Sequence, residues 1–367
     1  MKDIGVGLVG SGFISNLHAE AFGYVREAAV LAVASPTEEH ARRFAEKHSI
    51  GRWHSDYRAL LYEGDIDLVC VGVPNDLHRD VVVASAQAGK HVICEKPLAR
   101  TLADADEMLA ACKAADVKLM YAEELCFAPK YVRAKELVDE GALGDVYLVR
   151  QGEQHFGPHS DWFWDVRRSG GGVLMDMGCH AIEFFRWIYD KPHAESVTAE
   201  LGTFVHGERT RGEDHAIATV RFIGNRIGLV DTSWAKPGGM DDRAEILGSK
   251  GVTYVDLLRG SSLTTYSDVG YDYAVEKAPA TRGWTFTMFE ELWNSGLPQE
   301  MLHFVDCVLS DREPLETGDD GRAVLEIIYA MYLAAGDHSR VRLPLELGEH
   351  SAAEPPISCW QKTQSEP

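Results

Sequence analysis

The stretch VGLVGSGFIS, residues 6–15, decides the fold of this chain. An apolar run typical of a buried strand is followed by Gly10, Gly12 and Ser15, which match GxGxxG with serine as the third small residue. Glycine permits a tight turn and the close approach of a pyrophosphate, and a following helix supplies N–H donors at its N-terminus. Because a helical sequence, NLHAEAFGYV, comes next, the stretch predicts a strand–loop–helix unit that binds a dinucleotide.

The alternation of strands and helices continues through the first third of the chain. Short apolar runs recur, and helical stretches such as EEHARRFAEKH and TLADADEMLAACKAAD lie between them. A doubly wound parallel sheet requires this alternation. We therefore predict an α/β fold that begins with a Rossmann domain at residues 1–122. The predicted strands are VGLVG, VLAVAS, LVCVGV, HVICEK and VKLMYA.

From residue 123 onward the pattern changes to one helix and then strands with turn signals. The pieces IGNRI and GSKG are typical of hairpin turns. Residues 123–367 are therefore predicted to form an α+β domain with an open-faced, mostly antiparallel sheet. Two late helices, PQEMLHFVDCVL and GRAVLEIIYAMYLAAG, are expected to pack on this domain or to bridge back to the first. The tail after Leu347 is expected to be loosely held.

Composition and charge exclude several classes of partner. The chain has 367 residues, of which 45% are hydrophobic, and its formal charge of -21 opposes binding to polyanions, so no nucleic-acid partner is expected. No apolar run reaches the ~20 residues needed to cross a bilayer, so no membrane partner is expected either. The seven cysteines are scattered without CxxC spacing. That pattern favours a cytoplasmic location, without a disulfide framework or a zinc cluster.

The end of the predicted second strand bears on the choice between NAD and NADP. An acidic residue there binds the ribose 2′-hydroxyl of NAD, but this chain has Ser35, Pro36 and Thr37. Arg42 and Arg43 follow on the next helix, where a solvated face is the simpler interpretation. The sequence leaves NAD and NADP open, with NAD preferred.

A second notable stretch is GGGVLMDMGCH, residues 170–180. Its glycines are expected to turn the backbone close to a ligand or cofactor. Asp176 and His180 are one helical turn apart and share a face, and histidine suits proton transfer near neutral pH. Lys96 follows the strand HVICE at the carboxyl edge of the predicted sheet, where a cation stabilises a developing alkoxide.

Other interpretations of these residues are open from the sequence. A histidine on a helix is more often structural than catalytic, and Lys-Pro after a strand is often a solvated loop. A metal site would draw on His155, His159, Asp161, Cys179 and His180, but these lack a compact ligand signature such as HExxH. We therefore expect no metal.

An aromatic segment, Trp162, Phe163 and Trp164, precedes the glycines. Aromatic faces cover the C–H surface of sugars, although core packing is the alternative for at least one of the three. His155, His159 and Arg167 are candidates for contacts with hydroxyl groups or a charged substituent of the substrate.

Four motifs together resemble the Gfo/Idh/MocA family of NAD(P)-dependent sugar and cyclitol oxidoreductases. They are VGLVGSGFIS, VPNDLH (73–78), EKPLA (95–99) and GGGVLMDMGCH, in this order and spacing. The resemblance implies a Rossmann domain and an open sheet that often makes oligomer contacts, hence a homodimer or homotetramer. Two departures are Ser35-Pro36, where many relatives carry Asp-Arg, and Cys126, where an arginine commonly precedes the aromatic residue.

The resemblance also assigns roles to residues. The implied catalytic set is Lys96, Asp176 and His180, with His180 as the base assisted by Lys96 and the reverse assignment open. The implied cofactor-binding residues are Gly10, Gly12, Phe13, Ile14, Ser35, Thr37, Pro74, Asn75, His78, Glu95 and Lys96. The residues predicted to bind substrate, from the resemblance and from side-chain chemistry together, are Lys96, Glu123, His155, Trp162, Trp164, Arg167, Asp176 and His180.

Three functions follow from this interpretation. The first is a dehydrogenase that oxidises a secondary hydroxyl of a sugar, sugar acid or cyclitol with NAD or NADP. The second is a redox-neutral glycosidase that oxidises transiently, eliminates and re-reduces, with Tyr121, Glu123 or Glu124 as a further base. The third, a cofactor-sensing protein without catalysis, is disfavoured because the catalytic set is complete.

Overall fold

The protein, in a computed structural model, is described for residues 4–258, 263–267, 269, 282–287 and 291–364. Its packing divides the chain into two compact units. The first unit comprises Met1–Phe127 and Gly296–Leu325, and the second comprises Ala128–Ser295 and Glu326–Pro367. The second domain was predicted to comprise residues 123–367, but Gly296–Leu325 packs with the first unit.

Fifteen strands are present in the described residues. They are β1 Ile4–Val9, β2 Ala28–Ala34, β3 Arg52–His54, β4 Leu68–Val71, β5 His91–Glu95, β6 Leu119–Ala122, β7 Val146–Gln154, β8 Ala194–Gly202, β9 His215–Phe222, β10 Arg226–Ser233, β11 Asp241–Gly248, β12 Val252–Asp256, β13 Leu263–Ser267, β14 Gly283–Thr287 and β15 Val341–Arg342.

The same residues form twelve α-helices. They are α1 Phe13–Phe22, α2 Glu38–His48, α3 Tyr57–Leu61, α4 His78–Gln87, α5 Leu102–Ala115, α6 Pro129–Asp139, α7 Val166–Ser169, α8 Cys179–Ile188, α9 Glu291–Asn294, α10 Leu297–Leu309, α11 Gly318–Gly336 and α12 Ile357–Gln364. A π-helical turn, Leu174–Gly178, directly precedes α8.

The first unit is built on a six-stranded sheet in the order β3-β2-β1-β4-β5-β6, and every pair in it is parallel. All six residues of β1 and all four of β4 are buried, as expected of strands with helices on both faces. The strand order reverses between β1 and β4, so a crevice is expected at their carboxyl ends. The predicted Rossmann domain is confirmed, and the short strand β3 was not predicted.

Helix α10 also belongs to the first unit, where it packs against α1. Its face toward the unit carries Met301, Phe304 and Val305, all buried. Phe304 meets Phe127 edge-on, with 5.6 Å between the ring centroids. This apolar face explains why the chain returns to its N-terminal unit after the second sheet.

The second unit is built on a seven-stranded sheet in the order β12-β11-β7-β10-β9-β8-β15. Only the pair β7/β10 is parallel among its described strands, so the expected mostly antiparallel sheet is confirmed. The predicted hairpins are β9/β10 and β11/β12. The first of them turns at Gly224 and Asn225, both with positive φ. Helix α8 packs against β7 and β10, and every residue of it is buried.

The C-terminal segment differs from the expectation of a loosely held tail. Helix α12 buries Ile357, Cys359 and Trp360, because its apolar residues recur at helical spacing. All seven cysteines lie in described segments, are buried, and form no disulfide, as expected. Among the described residues, no helix combines the length and apolar character that a membrane span requires.

Candidate functional site

The glycine loop after β1 is shaped by close packing in the first unit. Gly10 has φ +117°, and a Cβ there would lie 2.2 Å from the carbonyl oxygen of Gly72. A Cβ on Gly72 would in turn lie 2.7 Å from Oγ of Ser15. Both glycines and the small Ser15 are therefore required for α1 to approach the ends of β1 and β4.

The second glycine of the loop has a different role. Gly12 precedes the first turn of α1, and no described side chain caps this end of the helix. A Cβ on Gly12 would meet no described atom within 4 Å apart from its chain neighbours. Space is therefore open at a helix N-terminus, where N–H donors and the helix dipole favour an anion. The loop fits the pyrophosphate of a dinucleotide.

The residue that follows β2 is hydrogen-bonded to this glycine loop. Ser11 Oγ donates to Ser35 Oγ at 2.9 Å, and Thr37 precedes the first turn of α2. Arg42 and Arg43, further along α2, form ion pairs with glutamates of the same helix. That finding agrees with a solvated face for these two arginines.

The loops after β4 and β5 are joined by His78. Its Nε2 lies 2.9 Å from the carbonyl oxygen of Val73, and its Nδ1 lies 3.2 Å from that of Leu98. Burial lowers the pKa of His78, although the carbonyls oppose this effect. The ring, which contacts a carbonyl group from each loop, braces the segment that carries the buried Asn75. Pro74 immediately precedes that residue and begins its helical turn.

Glu95 ends β5 and is buried next to Lys96. Its Oε1 lies 2.9 Å from His18 Nε2, and its Oε2 accepts from the backbone N–H of Lys96 at 3.1 Å. Burial alone would raise the pKa of Glu95, but the hydrogen bond and charge of His18 lower it. Burial alone would lower the pKa of His18, but Cys70 and Glu95 raise it. A buried ion pair therefore holds the segment that carries Lys96.

Glu300 on α10 was not identified from the sequence. It is fully buried, and neither carboxylate oxygen has a hydrogen-bond partner among the described residues. Burial first, and then the nearby carboxylates of Glu124 and Glu95, raise its pKa well above the usual value. One glutamate in the first turn of an amphipathic helix gives no signal that it faces inward.

The glycine run of the second unit lies close to its own chain, and the expectation that it also lies close to a ligand or cofactor stays a prediction. Gly170 ends α7 with φ +90°, so the predicted turn is present. A Cβ on Gly171 would lie 2.2 Å from Tyr332 Oη, and one on Gly172 would lie 2.0 Å from the backbone oxygen of Glu213. The glycines make room for these two residues.

Glu213 anchors the turn that follows. Its carboxylate accepts hydrogen bonds from Tyr332 Oη at 2.7 Å, from Leu174 N at 2.9 Å and from Gly172 N at 3.2 Å. Burial raises its pKa to about 7, although these donors oppose the shift. Glu213 was not predicted from the sequence, because a glutamate in RGEDHA is typical of a solvated loop.

Asp176 and His180 are both buried, at 2% exposure each. The ordinary helix expected between them begins instead as the π-helical turn, a wider turn that is often found at functional sites. Trp234 Nε1 donates to Asp176 Oδ2 at 3.1 Å, and His180 Nε2 lies 3.8 Å from Glu153 Oε2. Asp176 therefore accepts a hydrogen bond from the residue directly after β10, and His180 lies near a carboxylate of β7.

The aromatic segment packs around Trp234, which is fully buried. Trp162 stacks on the buried Phe163 with 3.8 Å between centroids, and Trp164 meets Trp234 edge-on at 5.4 Å. The guanidinium of Arg209, which the sequence analysis did not single out, lies 4.3 Å from the Trp164 ring centroid. The segment thus supports the tryptophan that holds Asp176.

The remaining candidates differ in exposure. Arg167 is 86% exposed and paired with Asp165, with 2.8 Å between Nη2 and Oδ2. His155 is fully buried in the second unit, and Glu123 is fully buried in the first, just after β6. Their substrate-binding roles, and the expectation of no metal, stay predictions.

A parallel sheet with an open glycine loop at its switch point is typical of a dinucleotide-binding domain, and a second, sheet-based unit accompanies it here. Residues 4–123 match the model of an oxidoreductase family with an NAD-binding Rossmann fold, and residues 131–254 match the GFO/IDH/MocA C-terminal domain. The chain belongs to the Gfo/Idh/MocA family, which confirms the resemblance of the four motifs and the NAD-binding domain.

Known relatives span from about two thirds to nearly the whole of the chain. GenD2 from gentamicin A biosynthesis, solved in complex with NAD, is 32% identical with a TM-score of 0.88, over 94% of this chain and 97% of that one. Myo-inositol 2-dehydrogenase of Thermotoga maritima is 29% identical, over 94% of this chain and 99% of the relative. Levoglucosan dehydrogenase of Pseudarthrobacter phenanthrenivorans is 31% identical, over 64% of this chain and 68% of the relative.

Proposed function

We propose that this oxidoreductase is an NAD-dependent dehydrogenase of a secondary hydroxyl in a sugar, sugar acid or cyclitol. The observation that carries the proposal is the open glycine loop at the carboxyl edge of the same parallel sheet from which Lys96 projects, after β5. The inositol and levoglucosan dehydrogenases among the relatives support the substrate class.

The proposed cofactor-binding residues lie in the loops at this edge. Gly10 and Gly12 leave room for the pyrophosphate, with Phe13 and Ile14 in the first turn of α1. The other proposed contacts come from the loops after β2, β4 and β5: Ser35, Thr37, Pro74, Asn75, His78, Glu95 and Lys96. The absence of an arginine directly after β2 favours NAD over NADP.

The proposed chemistry divides the work among three side chains. NAD, when bound, would supply the acceptor for the hydride from the carbon that carries the hydroxyl group. His180 accepts the hydroxyl proton, and the carboxylate of Asp176, held by Trp234, orients the substrate or the imidazole ring. The ammonium group of Lys96 stabilises the negative charge that develops on the substrate oxygen.

The test is a panel of free sugars, cyclitols and glycosides with NAD or NADP, followed by the absorbance of the reduced cofactor. Myo-inositol and levoglucosan belong in it because relatives are named for them, and gentamicin A belongs in it because GenD2 comes from its biosynthesis. We expect reduced cofactor to accumulate in step with one oxidised product, and faster with NAD.

Two other outcomes would contradict this proposal. Release of an aglycone at substoichiometric cofactor, without accumulation of its reduced form, would identify the redox-neutral glycosidase. Cofactor binding without turnover of any compound would identify a sensor.

Replacing Gly12 with valine is expected to weaken NAD binding about tenfold or more, equal to about 1.4 kcal/mol. The new side chain would enter the open space at the start of α1 and keep the pyrophosphate away from the helix N-terminus. The measurement is the dissociation constant of NAD by calorimetry, together with the thermal unfolding midpoint.

Gly51→Val is the matched control for Gly12→Val. A Cβ on Gly51 also meets no described atom within 4 Å, but this residue precedes β3 at the amino edge of the sheet. The control should bind NAD like the wild type. Unchanged NAD affinity in Gly12→Val would contradict the proposed pyrophosphate site.

The assembly state stays a prediction. Ile217 on β9 and Tyr254 on β12 are 46% and 71% exposed, and such apolar side chains on a sheet are consistent with the predicted homodimer or homotetramer. The predicted cytoplasmic location also stays a prediction.

A further inference from the structure

Two buried carboxylates lie side by side in the second unit. Strands β7 and β11 are antiparallel neighbours, and Glu153 pairs directly with Asp242 in their register, so both side chains share one face of the sheet. Glu153 is 6% exposed and Asp242 is fully buried. Their face is the one against which α8 packs, because His180 of that helix lies 3.8 Å from Glu153.

Asp242 is held in place from two elements. The hydroxyl group of Tyr131, from α6, donates a hydrogen bond to Oδ1, and Gln151 Nε2, from β7, donates to the same oxygen at 3.1 Å. The other oxygen, Oδ2, is buried without a hydrogen-bond partner among the described residues. Both donors are themselves buried, so the carboxylate group has one fixed orientation.

The charges around Asp242 make this site responsive to pH. Burial raises the pKa of Asp242 to about 6, and the neighbouring Asp241 adds to the rise. The bonds from Tyr131 and Gln151 and the charge of His180 oppose it. Asp241 is itself paired with Lys236 and with Arg243, whose Nε lies 2.6 Å from Oδ1.

Burying two neighbouring carboxylates costs free energy unless a positive charge or hydrogen bonds compensate them. Hydrogen bonds compensate one oxygen of Asp242, and the titratable group facing the pair from α8 is His180. A cation on that ring would stabilise both carboxylates, and they would stabilise it.

We infer that Asp242 and Glu153 are positioning residues for the proposed base His180, an inference that rests on the proposed dehydrogenase function. The proton of the substrate hydroxyl moves to the imidazole ring as the C–H bond gives up its hydride. The ring becomes a cation, and the two carboxylates stabilise it without taking the proton. They thereby stabilise the product of the proton transfer.

The test is the pH dependence of kcat/KM for Asp242→Asn, which keeps the shape of the side chain and removes its charge. Oxidation requires neutral His180, so the acid limb marks its protonation. Without the carboxylate the protonated ring is less stable, so the acid limb should move to lower pH by about one unit. The plateau should fall about fivefold because the base is weaker.

Tyr131→Phe is a second variant that leaves Asp242 in place. Loss of the hydroxyl donor raises the pKa of Asp242 further, because that bond lowers it. Less carboxylate is then present at a given pH, so the acid limb should move in the same direction by a smaller amount.

Glu245→Gln is the matched control, since Glu245 lies on the same strand but on its other face, paired with Arg150 at 2.8 Å. The acid limb of its kcat/KM profile should lie at the same pH as that of the wild type. An unchanged limb in both Asp242→Asn and Tyr131→Phe would overturn the inference, because a purely structural role predicts lower activity without a change in pH profile.

Failure of the proposed function is distinguishable from failure of this inference. If the wild type oxidises nothing in the panel, the ring resonance of His180 is followed by NMR instead, assigned by its disappearance in His180→Gln. Titration at lower pH in Asp242→Asn than in the wild type supports the inference. Titration at the same pH overturns it.

Discussion

Replacing His180 with glutamine is expected to lower kcat by about 100-fold or more, while leaving the fold and NAD affinity intact. General-base catalysis contributes about 10²–10⁴ in rate, and glutamine cannot accept the hydroxyl proton. Glutamine also suits a helix and fills a similar volume within α8. The measurements are steady-state kinetics on a substrate found in the panel, calorimetric NAD binding and thermal unfolding.

His193→Gln serves as the control for this variant. His193 is an exposed histidine of the same unit, and its loss should leave kcat unchanged. If His180→Gln retains nearly full kcat while Lys96→Met loses it, the base is Lys96 and the two roles are reversed. If neither variant loses activity, the proposed catalytic set is wrong.

Replacing Gly172 with alanine is expected to destabilise the second unit by about 3 kcal/mol or more, as overpacking at fixed atoms does. The new Cβ would lie 2.0 Å from the backbone oxygen of Glu213 and 2.8 Å from its backbone nitrogen. Displacing these backbone atoms costs free energy, because the carboxylate of Glu213 is already hydrogen-bonded to Leu174 and Tyr332. Urea unfolding measures the loss.

Gly207→Ala is the matched control in the same unit. Its Cβ would meet Thr203 Cγ2 at 3.8 Å, an ordinary contact, and its φ is not positive. This variant should unfold like the wild type. Equal unfolding midpoints for Gly172→Ala and the wild type would show that the turn relaxes and that Glu213 does not constrain it.

Much of the fold was predictable because its signals are local. Helices α2 and α5 follow from helical periodicity within one segment, and the parallel sheet follows from its alternation with helices. Strand β3 was missed because RWH is too short to show a period. The buried helix α12 was missed because its surroundings in the sequence are polar.

The candidate site was predictable where a motif carried it. Gly10, Gly12 and Ser15 identify a phosphate loop because the turn, the close approach and the helix contact depend on neighbouring residues. The spacing of Asp176 and His180 also identified a pair, although it gave no sign of the wider turn. Neither motif indicated which distant groups hold these residues.

The sequence by itself determined the class of fold, the phosphate loop and the candidate reactive side chains, because each depends on residues a few positions apart. Only the tertiary structure decided what those residues touch. Trp234 reaches Asp176 across 58 positions of sequence, and Glu213 reaches Gly172 across 41. A hydrogen bond between distant segments depends on the register of strands and the packing of helices, and local periodicity does not encode either.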